Sequence, residues 1–263
     1  MTNEDRIRLS DLNLAEYLRE TARWNKGGEV HEKDDLLLTM GLSRFPTTSA
    51  AMNLSNAKHD DARDIWERVR SFYRERKTPF CIHIRRHADA TLEALCLSEK
   101  MTVVSDSPGM ITERPLQASM LPAGVEIRRI DSVAGVVDFR AITIASFESL
   151  GMPAFVGEKI FATPERLLQP HIDMVAAYDQ GLPVSAAMVI HSHSIAGIYW
   201  VGTVPAARGR GLGEACVSEV ANEALRRGAA FVVLQATKFG APLYRRMGFE
   251  EITRYPWYMR QDK

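Results

Sequence analysis

The stretch Thr203–Ala215, TVPAARGRGLGEA, places three glycines and two arginines in thirteen residues, between an apolar run and a helical pattern. A strand, a glycine-rich turn and a helix start, in that order, make an anion site. The first amides of a helix have no intrahelical partner, and the helix dipole places partial positive charge there. Gly209, Gly211 and Gly213 tolerate positive φ and let the backbone approach a ligand closely. Arg208 and Arg210 can add charge-assisted hydrogen bonds to phosphate oxygens. A pyrophosphate suits that description. Two familiar cradles are excluded, because GxxxxGK[ST] is absent and the glycines run Gly209-x-Gly211-x-Gly213 rather than GxGxxG.

Outward from this stretch the pattern is regular. Upstream, Met174–Pro205 is the strongest β signal in the chain: two apolar runs flank Asp179–Pro183, whose Asp179 and Gly181 suit a hairpin turn, and a second reversal falls at His191–Ser194. Downstream, Leu212, Cys216, Val220, Ala224 and Leu225 share one helical face, and Gly228 is a natural cap. Ala229–Ala236 reads as a buried strand, Phe239–Met247 as a short helix, and Gly248–Met259 as the last strands.

The first half repeats this order. A helix over Leu14–Trp24 is followed by strands at Leu36–Met40 and Ala50–Leu54, then an amphipathic helix over His59–Lys77. A short strand at Pro79–Ile84, a helix over Ala88–Met101, a strand at Thr102–Ser105 and a turn at Asp106–Met110 complete it. LSEKMTV (Leu97–Val103) can be laid on LYRRMGF (Leu243–Phe249), a weak internal repeat that sets Ser98 against Tyr244. Glu113–Glu126, with Pro115, Pro122 and Gly124, reads as a linker. The expected domains are therefore 1–122 and 123–263, the second opening with a strand at Val125 and a helix over Val133–Phe147.

Composition narrows the function. The chain has 263 residues, 46% hydrophobic and 25% charged, with a formal charge of zero, so it lacks the basic footprint of a nucleic-acid binder. No apolar run approaches the roughly 20 residues that cross a bilayer, and the N-terminus is polar, so the expected compartment is the cytoplasm. Cys81, Cys96 and Cys216 form no CxxC pair and read as reduced core thiols. His191 with His193, and His83 with His87, lack obvious third ligands, so no metal is expected.

VGTVPAARGRGLG (Val201–Gly213) resembles the acetyl-CoA motif of the GNAT N-acetyltransferase superfamily, with Arg208, Gly211 and Gly213 at its R-x-x-G-x-G core. About thirty residues later GAPLYRRMGF (Gly240–Phe249) resembles that superfamily's second motif, a tyrosine four residues before Gly248-Phe249. The resemblance covers roughly Gly124 to Lys263. It implies an α/β (mixed α+β) fold: two GNAT-like domains, the first degenerate, each a mixed, mostly antiparallel sheet flanked by helices. The central strands of the second would splay into a V.

The resemblance also implies a site. The pantetheine arm of acetyl-CoA would bond to backbone groups of Val201 and Thr203 on the splayed strand, beside Gly202, and the amides of Gly209–Gly213 would hold the pyrophosphate. The expected cofactor-binding set is thus Val201, Gly202, Thr203, Arg208, Gly209, Arg210, Gly211, Leu212, Gly213 and Glu214, with Thr237 and Gly240 from the second motif. Tyr244 matches the usual general acid that protonates the departing thiolate. Thr237 stands where many relatives carry asparagine, and Gly240 replaces a common alanine; the Thr237 hydroxyl can cap the short helix or touch the cofactor. In the first half, Ser55–Asp61 has no glycine, so no comparable cradle is expected there.

The expected activity is transfer of an acetyl group from acetyl-CoA to a primary amine by direct attack on the thioester, the amine being a small molecule or a peptide. A non-catalytic acyl-CoA-binding sensor or interaction module is the alternative; a nucleotide-dependent oxidoreductase fails on glycine spacing. Glu148, His191, His193 and water stay open as the base, and Trp200 is either core or a wall of the acceptor pocket.

Overall fold

The computed structural model describes residues 1–41, 45–56 and 61–260. The first half contributes α1 (Asn3–Arg23), β1 (Glu29–Lys33), β2 (Leu36–Met40), β3 (Ser49–Asn53), α2 (Ala62–Glu75), β4 (Phe80–His83), α3 (Ala90–Ser98) and β5 (Thr102–Thr112). The second half contributes β6 (Val125–Arg129), α4 (Val133–Glu148), α5 (Ala154–Ile160), β7 (Ile172–Asp179), β8 (Leu182–Ser192), β9 (Ile195–Thr203), α6 (Leu212–Arg226), β10 (Val232–Gln235), α7 (Ala241–Arg246) and β11 (Glu250–Arg260).

α1 begins well before the expected Leu14. Thr2 and Asp5 form a reciprocal capping box, with Thr2 Oγ1 accepting from Asp5 N at 3.1 Å and Asp5 Oδ2 from Thr2 N at 2.9 Å. Its buried face carries Ser10, Asp11, Asn13 and Glu20 alongside Leu14 and Leu18, so its first turns do not read as amphipathic. β1, EVHEK, is a polar edge strand with no alternation, and the sequence gives no sign of it. The expected turn at Asp106–Met110 is instead the middle of β5. Pro108 lies between Arg254 of β11 and Ala236, whose N–H donates to Pro108 O at 2.9 Å, and Gly109 leaves room for the Tyr255 ring, which a Cβ would meet at 2.6 Å.

Among the described residues the strands form one sheet, in the order β1-β2-β3-β4-β11-β5-β10-β9-β8-β7-β6. Each half supplies the middle strand of the other: β5 sits between β10 and β11, and β11 sits between β4 and β5. The expected boundary at 122/123 falls in the loop between β5 and β6, but the sheet runs on through both halves. The repeat is visible in the pairing itself. β3–β4 and β9–β10 are the two parallel contacts, each over three residue pairs, ending at Met52↔His83 and Ile198↔Leu234. Ten residues beyond those ends stand Glu93 and Tyr244, so Glu93, not Ser98, is the counterpart of Tyr244.

Helices cover both faces. α1, α4 and α5 share a core with Tyr199 and Tyr255 that also takes in Leu37, Ala50 and Met52 of the first half. α6 and α7 pack on the opposite face of the second half, around Ile198, Val232 and Leu234. α2 and α3 enclose a further cluster with Trp66, Tyr73 and Phe80. The linker is strapped to α6, where Asn222 accepts from Leu116 N at 2.7 Å and donates to Leu116 O at 2.9 Å.

Candidate active site

β9 and β10 run side by side only as far as Ile198 and Leu234; β9 then continues to Thr203 paired with β8 alone. A β-bulge causes the divergence. The β8–β9 register shifts between Ala186 and Met188, and opposite that shift Trp200 adopts φ +52°, rare for a bulky residue. The bulge breaks side-chain alternation: Tyr199 and Trp200 both pack on the α1–α4 face, whereas Ile198 and Val201 pack on the α6 face. Val204 N–H donates to Val184 O on the β8 side, so the Thr203 N–H points to the other side, where Ser146 Oγ accepts it at 3.2 Å. Gly202 lets the strand pass close to α4, since a Cβ would lie 3.0 Å from the Cβ of Ser146.

The glycine turn follows. Gly209 and Gly211 both take φ +75°, and Gly211 is the N-cap of α6 without any side chain to satisfy the first amides. Neither has an atom within 4 Å of where a Cβ would stand, so they are chosen for conformation, whereas Gly213 is helical and its missing Cβ would sit 3.2 Å from Thr203 Oγ1. Leu212 is buried, so only its backbone faces the turn, and Glu214 lies in the first turn of α6.

The arginines do not stand free. Arg208 donates to Thr203 O (3.2 Å), Ser146 O (3.1 Å) and Ser149 Oγ (2.5 Å), clasping the turn to the end of α4. Arg210 pairs with Asp179 at 2.6 Å. The expectation that both reach for phosphate thus meets a structure in which both hold protein.

Beyond β10, Gly240 is the N-cap of α7 and no side chain caps that helix; the Thr237 hydroxyl instead closes the preceding turn, Gly240 N donating to Thr237 Oγ1 at 3.1 Å. Gly240 is glycine for a reason of space: a Cβ there would lie 2.9 Å from Tyr244 Cε2. Tyr244 is buried in α7, its ring edge-on to Phe249 at 5.8 Å, and burial pushes its phenol up to about 12 rather than leaving it near 10.

The base candidates separate. His191 pairs with Ala196 at the closed end of β9, about 23 Å of extended strand below Thr203. Its Nε2 is 2.7 Å from Asp173, which also binds Arg129 and Arg227. Burial pushes Asp173 up, but the His191 hydrogen bond and the Arg227 and Arg129 charges outweigh it and hold the carboxyl below the usual range. His193 lies in the β8–β9 turn at φ +52°, not on a strand face with His191. Glu148 alone of the three residues is near the open end, exposed in the last turn of α4.

The first half closes the matching gap with side chains. Arg85, fully buried, donates to both oxygens of Asp89 (3.0 and 2.8 Å) and to Ser55 O (2.8 Å), and lies 3.5 Å from Asp11. Asn53 Nδ2 donates to Asp89 Oδ1 at 3.2 Å, and Tyr255 OH to Asp11 Oδ1 at 2.7 Å. Of the loop Ser55–Asp61, residues 57–60 lie outside the described residues; Asp61 caps α2. Glu93 accepts from Tyr258 OH and Arg86. Sequence reading missed this network because its members are scattered through α1, β3, the β4–α3 connection and β11.

His83 stacks on Trp257 at 5.5 Å and burial pulls it down to about 4, while His87 contacts Asp11 and Thr253, so the two do not act as a pair. Cys81, Cys96 and Cys216 are buried, and burial raises each thiol, that of Cys216 to about 11. Among the described residues no helix is long and apolar enough to cross a membrane.

Two parallel strands thus part beside a left-handed glycine turn and a helix start that no side chain caps. Residues 170–251 match the family profile described as "Acetyltransferase (GNAT) domain". A GCN5-related N-acetyltransferase from Kribbella flavida is similar over 97% of this chain and 96% of its own, at 19% identity and a TM-score of 0.74. One from Sphaerobacter thermophilus is similar over 86% and 76%, at 17% identity and 0.66. A tandem GNAT protein from the clavulanic acid biosynthesis pathway is similar over 95% of each chain, at 10% identity and 0.61. A search of curated protein sequences found no match. Residues 170–251 thus match a GNAT acetyltransferase domain profile, and the whole length of the chain is similar in fold to these GNAT N-acetyltransferases.

Proposed function

We propose that the protein transfers an acetyl group from acetyl-CoA to a primary amine, with the second half as the catalytic unit and the first as a degenerate partner that has lost its own cofactor site. The observation that carries the reading is the coincidence of the β9–β10 gap with Gly209 and Gly211 at φ +75° and the open amides of α6. Acetyl-CoA lies with its pyrophosphate on the amides of Gly209–Gly213 and its pantetheine arm along Val201–Thr203, displacing Ser146 Oγ from the Thr203 amide. Leu212, Gly213 and Glu214 contribute through the first turn of α6, and Thr237 and Gly240 shape the floor under Tyr244. Arg208 acts by holding the turn against α4, and Arg210 exchanges Asp179 for phosphate.

The amine nitrogen attacks the thioester carbonyl carbon, the C–S bond breaks, and the thiolate takes the Tyr244 proton. The amine proton leaves to water or through Glu148. A phenol raised to about 12 keeps its proton at every working pH. The cytoplasm is the compartment this reading implies.

The test is thermal unfolding with and without acetyl-CoA, on the wild type and on Gly211→Arg. Ligand at a hundredfold its dissociation constant stabilises by about 2.7 kcal/mol. A shift in the wild type that vanishes in the variant supports the cofactor placement, since arginine is strained at that φ. No shift in the wild type with ligand above millimolar overturns it. Binding without thiol release from any amine favours the sensor module instead.

A further inference from the structure

The linker between β5 and β6 does not lie evenly on α6. Asn222, in the third turn, holds both backbone groups of Leu116, and one turn earlier Ser218 Oγ donates to Gln117 O at 3.3 Å. Past these ties Met120 turns out to solvent, almost wholly exposed, while the Ser119 hydroxyl is buried. A cavity of about 300 Å³ opens there between the linker, the first turns of α6 and Ile127 of β6. Small-ligand sites begin at about that size. β6 is an outer strand of the sheet, three places from β9, so about 14 Å of sheet separates the cavity from the β9–β10 gap.

The side chains around this cavity are rich in acceptors and short of donors. Ser119 Oγ is buried without a hydrogen-bond partner, which is destabilising until a ligand or solvent group meets it. Ser218 spends its proton on Gln117 O and keeps its lone pairs. Glu219, exposed on the same flank of α6, pairs with no cation among the described residues. Asn222 has a single N–H left after binding Leu116. Arg128 follows Ile127 in β6 and so points to the other face of the sheet, where it lies 4.4 Å over the Tyr178 ring. Leu121 and Ala215 line the remainder with carbon. An unopposed carboxylate disfavours an anion. A metal ion is disfavoured too, since no group of three metal-ligating side chains stands together among the described residues. An ammonium, with one charge and several N–H donors, fits what is left.

We propose that this cavity is a second ligand site, apart from acyl transfer, that takes a small hydroxylated monoamine in its ammonium form. Glu219 meets the charge, Ser218 and Ser119 accept from the ammonium, and the spare Asn222 N–H donates to a ligand hydroxyl. The single carboxylate limits the ligand to one charge. The site stands whether or not the acyl-transfer reading holds.

Calorimetric titration of the full chain, without acetyl-CoA, tests it with 2-amino-1,3-propanediol, glycerol and glycerate. The three share a skeleton and differ in charge. The amine is expected to bind saturably with one site per chain, glycerol at least about tenfold more weakly, and glycerate not at all. Glu219→Gln should weaken the amine about tenfold. Ala118→Phe, which fills the cavity from the linker, should abolish binding. Both positions are exposed, so each variant should keep the wild-type melting temperature, which separates a lost site from a lost fold. No saturable heat from the amine up to about 50 mM overturns the proposal. So does equal binding of glycerol, or an affinity unchanged in either variant, which would put the amine elsewhere on the protein.

Discussion

Tyr244 shows how a single side chain is held in place by residues given no chemical role in the proposed reaction. Gly240 removes the Cβ that would press on Cε2, Phe249 braces the ring edge, and Thr237 closes the turn that leads into the helix. Tyr244→Phe keeps this packing and loses only the hydroxyl. It should lower kcat about 100-fold while the thermal shift with acetyl-CoA persists. An acid works while protonated, so activity is lost as pH rises through its pKa, and a raised pKa moves that loss upward. With the phenol at about 12, the wild-type kcat should not fall between pH 8 and 10 for want of this proton. A fall there that Tyr244→Phe leaves in place would assign the acid to another group. The residue pattern was legible because two short motifs carry it. The role of Arg208 was not, since bonds to Ser146 and Ser149, some sixty residues away in sequence, decide where its guanidinium goes.

At the level of elements, α1 settles most. It crosses β8 and β9 at Gly197, where a Cβ would fall 1.8 Å from Asn13 Oδ1 and 2.7 Å from Tyr199 Cε2. Asn13 then ties the helix to the strands, donating to Ile190 O (3.0 Å) and Ser192 Oγ (2.8 Å) and accepting from Tyr199 OH (2.8 Å). Gly197→Ala should therefore cost about 1–3 kcal/mol by overpacking, read as a lower urea midpoint at constant m. A neutral result would mean that α1 is not seated as described. The same helix explains a failure of pattern reading. Periodicity finds buried apolar faces, and α1 buries Asp11 and Asn13 because Tyr255 and the β8–β9 strands satisfy them, and Glu20 because Arg23 of the same turn and His171 meet it. β5 failed for the opposite reason, since Pro108 and Gly109 look like a turn until β10 and β11 are placed on either side.

At the scale of the whole molecule, the exchange of β5 and β11 makes the two halves one cooperative unit. Residues 123–263 alone would leave β10 and β11 without the strand between them, and 1–122 alone would leave an open edge on both β4 and β5. Expressed separately, each half should lack a cooperative melt by circular dichroism; expressed together as two chains, they should co-elute and recover the acetyl-CoA shift. A separately folded 123–263 that melts cooperatively would show that β5 is dispensable. The shared sheet also explains why the buried ion pair in the first half is tolerated. Arg85 fills a gap that α1 and β11 seal, and its charge is met by Asp89 and Asp11.

By itself the sequence determined the glycine turn, the helix that follows it, the tyrosine on the short helix and the repeat of element order. Those depend on φ preference, capping and periodicity, which a residue and a few neighbours decide. Only the tertiary structure decided which half lends which strand, that His191 lies at the far end of β9, that Arg208 holds α4, and that a bulge turns Trp200 onto the α1–α4 face. Each of those is a contact between segments distant in the chain, and its sign depends on what burial brings alongside, information that no local window contains.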